Sequence, residues 1–125
     1  MELVELDSIA TFSDDKYSKI PINGTKGLIR LLCFKPNQSV PLHKHSEGDE
    51  YFLVVEGKGK VRVGNEEIEV GSGTIVRAPA NVLHQWKNGT EKLILLSVLI
   101  APSCYRLADE ILKMEYIQQR ARKNC

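Results

Sequence analysis

The feature that most constrains this chain is its punctuation. Short apolar or alternating runs are cut roughly every 8 to 12 residues by Gly, Pro and Asn, the spacing of an all-β domain. The runs fall at 27–34, 40–45, 50–56, 60–63, 66–70, 74–78, 83–87 and 92–100. Pro36-Asn37 closes the first of them with turn chemistry, and Gly64-Asn65 is a tight hairpin signal. Around that hairpin, Val61 and Val63, then Ile68 and Val70, alternate with charged residues, as a half-buried strand requires. At 125 residues, 42% of them apolar, the chain can bury one core but not two. The expected fold is all-β, a single small barrel.

The pattern changes after Pro102. Leu107, Ile111, Met114, Ile117 and Ala121 recur at spacings of three and four, one stripe of a helix. Ser103 can cap it, Asp109 and Glu110 sit near its start, and Arg120, Arg122 and Lys123 crowd its end, in the order that suits the helix dipole. The expected division is a barrel over 1–104, including the N-terminal segment, and a helix over 105–125 packed on the barrel or across a dimer. The other reading, a basic membrane or RNA tail, is weakened by the acidic residues within it.

Composition removes several function classes. A formal net charge of +1 and no basic stripe in the body of the chain give no grip on a polyanion, so no nucleic-acid partner is expected. No apolar run is long enough to cross a bilayer, and the first residues lack the basic and apolar regions of a signal peptide. Cys33, Cys104 and Cys125 form neither a paired framework nor a Cys-x-x-Cys. The expected location is the cytoplasm.

The chain has three histidines, and each falls where a metal ligand would be useful. On a strand, His43 and His45 project to one face while Lys44 points away. Glu50 opens the next run with Phe52 and Val54 as its same-face companions, so it is expected to point into an apolar interior, where a carboxylate needs a partner. His84 opens a later run with Trp86 on its face. A lone strand histidine is more often a surface or hydrogen-bonded residue, and a His-x-His pair alone is weak. The in-facing glutamate and the third histidine together point to a metal site.

These residues carry a resemblance. From His43 to Gly57 the chain reads His-x-His, four residues, Glu, six residues, Gly; from Gly73 to Asn88 it reads Gly, five residues, Pro79, one residue, Asn81, two residues, His84, three residues, Asn88. The two segments, fifteen residues apart, resemble the two signature motifs of the cupin family with the short spacer of small microbial members. Two positions depart: Asn37 and Asn81 stand where the family has Gly. Both are expected in a left-handed turn conformation, which Asn tolerates next best after Gly.

The resemblance implies a jelly-roll β-barrel in which His43, His45, Glu50 and His84 are the ligands of one divalent transition metal, with Fe, Mn, Ni, Co, Cu and Zn all open. Leu93 to Ile100 is an almost unbroken apolar run, and Tyr51, Leu53 and Val55 make the outer face of the Glu50 run apolar too, so these faces need cover. A homodimer packed barrel against barrel, common in the family it resembles, is expected to supply it; the alternative is cover by the N-terminal segment and the C-terminal helix within one chain. Four protein ligands on an octahedral ion would leave two adjacent positions for a small chelating molecule such as a diketone, hydroxy acid or enediol. The expected function is a metal-dependent enzyme of dioxygenase, isomerase or lyase type acting on a small oxygenated metabolite. The alternative is a non-catalytic barrel that binds a small ligand or metal. Phe52 and Trp86 are either pocket-lining or plain core aromatics. Arg30, the one charge in its apolar run, could receive a carboxylate or lie at an interface. Cys33 reads as a small core residue. Glu47 and Asp49 are read as solvated loop residues that could also shuttle protons.

Overall fold

The structure is a computed structural model and describes residues 1–45 and 48–100. Eight strands follow a short helix: α1 (Leu6–Ile9), β1 (Ser18–Asn23), β2 (Gly27–Phe34), β3 (Glu50–Glu56), β4 (Lys58–Val63), β5 (Glu66–Gly71), β6 (Ile75–Ala78), β7 (His84–Asn88) and β8 (Leu93–Ile100). They form two antiparallel sheets, one of five strands in the order β1-β2-β8-β3-β6 and one of three in the order β5-β4-β7. The core fills the space between them: Leu32, Phe34, Val40, Phe52, Val54, Val61, Ala78, Trp86, Leu93 and Leu95 form one buried cluster.

The five-stranded sheet is apolar on part of its outer face as well. Leu31, Cys33 and Ile94 are buried there under Leu6, Ile9, Ala10 and Phe12 of the N-terminal segment. That second layer explains why β2 and β8 read as nearly unbroken apolar runs. Cys33 is buried, as expected of a small core residue, and burial raises its thiol pKa.

The expected strands from 27 onward are present with ends shifted by a residue or two, with one exception. Residues 40–45 are not a strand. They run along β7 through two isolated bridges, Ser39 to Lys87 and His43 to His84. Pro41 has no N–H to give a ladder, so only Val40 and His43 donate from this stretch, to Trp86 and His84. Two elements were not anticipated, α1 and β1. In β1, Pro21 sits within a register shift between Lys19 and Ile22, at the sheet edge where a missing N–H is tolerated. The helix expected over 105–125 lies outside the described residues. Among those residues, no helix is long and apolar enough to cross a membrane.

The turns follow the punctuation. Asn37 (φ 68°) and Asn81 (φ 63°) both adopt the left-handed conformation expected of them. Gly57 (φ 84°) is fixed by crowding too, since a Cβ there would stand 2.2 Å from the carbonyl oxygen of Lys92.

Candidate metal centre

His43, His45, Glu50 and His84 come together. Each offers a ligand atom, and these four atoms all lie within 4.8 Å of one another. Glu50 supplies the floor of the group: its Oε1 is 3.2 Å from Nε2 of His45 and 3.2 Å from Nε2 of His84. Ring centroids of His43 and His84 are 4.4 Å apart, and those of His43 and His45 are 5.1 Å apart. Glu50, His45 and His84 are buried.

Local backbone fixes two of the imidazoles. Nδ1–H of His43 donates to the carbonyl of Pro41 at 2.6 Å, and Nδ1–H of His84 donates to the carbonyl of Val82 at 3.2 Å. Both partners are two residues upstream, and both assignments turn Nε2 towards the interior with its lone pair available. His43 Nε2 is buried without a hydrogen-bond partner. Burial, and after it the positive charge that His84 and His45 can carry, push the His43 pKa down to about 3, so the ring is neutral near pH 7. An orphaned imidazole nitrogen beside two more imidazoles and a carboxylate is a donor set that fits a divalent first-row metal.

The carboxylate is held differently. Burial alone would raise the pKa of Glu50, but the Arg30 guanidinium, and after it the imidazoles of His45 and His84 at 3.2 Å, outweigh it and hold the acid well below its usual range. Arg30, itself buried, donates from Nη2 to Oε2 at 3.1 Å, and Ser97 Oγ donates to the same oxygen. Arg30 thus meets a carboxylate, and that carboxylate belongs to the chain. Ser97 escaped the sequence reading. The signal for it was present: it is the one polar residue of β8, as Arg30 is the one charged residue of β2, and the register sets the two opposite each other.

Phe52 and Trp86 are both buried next to the histidine cluster. Phe52 lies with its ring centroid 6.0 Å from that of His84 and 5.3 Å from that of Trp86. Both belong to the core cluster, and Trp86 Nε1 is buried without a partner. Asp49 is engaged at both oxygens. Oδ2 accepts from Arg77 Nε at 3.0 Å and Oδ1 from the Ala80 N–H at 2.8 Å, and these two partners keep its acid below the usual range. The Asn81 N–H donates to the carbonyl of His45 at 2.6 Å. Together these bonds tie His45 and Asp49 to the turn that precedes His84. Glu47 lies outside the described residues.

Two antiparallel sheets closing on a three-imidazole, one-carboxylate cluster define a small β-barrel with a candidate metal centre. The Cupin domain family matches residues 30–99, and the chain belongs to the cupin family. An uncharacterised protein of Aquifex aeolicus is 29% identical over 86 residues, covering 69% of this chain and 70% of its own. Auxin-binding protein 4 of Zea mays is 31% identical over 90 residues, 63% of this chain, and the match spans 44% of the maize protein, less than half its length. Among solved structures, a Thermus thermophilus protein superimposes with a TM-score of 0.77 at 28% identity, over 82% of this chain and 99% of its own.

Proposed function

We propose that this cupin is a metal-dependent enzyme acting on a small oxygenated metabolite, with His43, His45, Glu50 and His84 as the protein ligands of one divalent transition metal. The observation that carries the reading is the buried, unpartnered Nε2 of His43 aimed at a site shared with two imidazoles and Glu50 Oε1. When bound, such an ion supplies Lewis acidity and open coordination positions, and a redox-active one supplies reactivity with dioxygen. The chain's own residues do the rest. Pro41 and Val82 carbonyls hold the rings of His43 and His84 in the ligating tautomer. Phe52 and Trp86 form a dry wall beside them, which strengthens every electrostatic contact with a bound oxygen ligand. A diketone, hydroxy acid or enediol has the paired oxygens such a centre would take.

The second reading is a barrel that binds a small ligand without turning it over. The likeness to a maize protein named for binding auxin favours it. Elemental analysis of protein purified without chelator or His-tag, beside a His45→Ala, His84→Ala double variant, tests the metal. Near-stoichiometric iron lost in the variant directs a substrate screen to oxygen uptake. Manganese, nickel or zinc directs it to isomerase, lyase and cyclase reactions. No metal and no uptake on adding it back would overturn the proposal.

The same reading places the protein in the cytoplasm as a homodimer. Tyr51, Val55, Ile75 and Ile100, on the outer face of the five-stranded sheet, are 38%, 37%, 73% and 49% exposed, and a second barrel packed there would cover them. Sedimentation as a monomer at micromolar concentration would reject the dimer.

A further inference from the structure

Glu50 presents its two oxygens to different neighbours. Oε1 faces His45 and His84, whereas Oε2 accepts from Arg30 and Ser97 and is turned away from the imidazoles. Among the described residues, Arg30 and Glu50 are the only buried Arg, Lys, Asp or Glu. Among those residues the interior holds one fixed cation and one fixed anion, and the two are in direct contact. Resting on the metal reading above, we infer that Arg30 is a positioning residue that cancels the charge of Glu50, and that the loaded centre therefore selects anionic oxygen chelators, such as 2-hydroxy or 2-oxo carboxylates and enediolates, over neutral diols and amides.

The reasoning is electrostatic. A carboxylate ligand ordinarily removes one unit of a divalent ion's charge. Here that unit is already matched by the guanidinium, and the imidazoles are neutral as ligands, so the ion keeps both of its positive charges. Uncompensated charge in a dry interior is costly, and water relieves it only partly. The positions left open by the protein are where compensation can enter, and only an anion provides it. A neutral diol would occupy the same positions and leave the imbalance standing. Arg30 and Ser97 also restrain Oε2, so Oε1 is the oxygen Glu50 would offer a bound ion. A guanidinium that served the fold alone would hold β2 to β3 and have no influence on which exogenous ligand binds.

The test uses the whole protein loaded with cobalt(II) and titrated with azide, a small monoanion, while the visible d–d absorption is followed. Arg30→Met removes the charge. Arg30→Gln removes it too but keeps a donor for Oε2, and serves where the methionine variant does not fold. Arg30→Lys keeps the charge. The expected result is saturable azide binding in the unaltered protein, about tenfold weaker in the neutral variants at unchanged cobalt stoichiometry, with the lysine variant within about threefold of the original. Neutral variants that bind azide as tightly as the unaltered protein would overturn the inference, as would an unaltered cobalt protein that takes up no azide. Failure to bind cobalt at all would instead remove the metal reading on which the inference stands, so the two failures are distinguishable.

Discussion

The two sheets hold their parts of the candidate centre by opposite means. The five-stranded sheet brings Glu50 on β3, with Arg30 on β2 and Ser97 on β8 fixing it, all through buried side chains. The three-stranded sheet brings His84 on β7 and, bridged to it, His43, both oriented by backbone carbonyls two residues upstream. A side-chain pair in a dry interior depends on both partners. A carbonyl is present whatever the sequence, so the imidazole side survives most substitutions around it. The carboxylate side therefore concentrates stability in a few residues, and the imidazole side spreads it over the main chain.

The largest effect follows from breaking the carboxylate side. Arg30→Ala leaves Glu50 buried without its cation and is expected to destabilise the metal-free protein by about 3–5 kcal/mol, read from the urea midpoint. A loss under about 1 kcal/mol, the size of an exposed pair, would show that the comparison between the sheets is wrong. Next comes the ligand set as a whole. A divalent metal at one hundred times its dissociation constant is expected to stabilise the protein by about 2.7 kcal/mol, raising Tm, with the gain reversed by chelator and absent from the His45→Ala, His84→Ala variant. An equal gain in that variant would place the bound ion elsewhere.

A smaller effect sharpens the backbone side. Asn81 holds φ at 63° in the turn that leads to His84, and its N–H donates to the carbonyl of His45. Asn81→Gly is expected to be near neutral, while Asn81→Ala costs roughly 1–2 kcal/mol because a Cβ without a compensating polar group resists the left-handed region. Equal urea midpoints for the two variants would mean that the turn adopts another conformation at little cost.

Which parts were legible in the sequence follows from the same contrast. The candidate ligands could be read because the two cupin-like motifs set His43, His45, Glu50 and His84 at fixed spacings, and Gly64-Asn65 could be read because hairpin chemistry is local. The punctuation predicts a strand over 40–45, but Pro41 lacks the N–H that a ladder needs, and only bridges form. β1 was missed because Pro21 and the register shift break its alternation and its apolar residues are few. Ser97 was missed because its role depends on register: nothing in the run of β8 says that it stands opposite Arg30. Pairing between strands far apart in sequence is set by the whole sheet, and a local reading does not contain it.

The smallest expected effect concerns the link between the two sides. Asp49 accepts from Arg77 and from the Ala80 N–H, its own carbonyl accepts from Ile100, and the adjacent Glu50 begins β3. The carboxylate is on the solvent side of the barrel, and Arg77 is more than half exposed, so water can replace both bonds at little cost. Asp49→Ala is therefore expected to leave the urea midpoint almost unchanged. What it removes is a local restraint that spans the sequence from the carboxylate side to the turn before His84. The Ala80 amide, which loses its acceptor, should exchange with solvent faster, while amides in the middle of β2 and β8 keep their protection. Slow exchange at Ala80 in the variant would mean that the turn is held by the Asn81 to His45 bond alone, and that the two sides are joined through the main chain without Asp49.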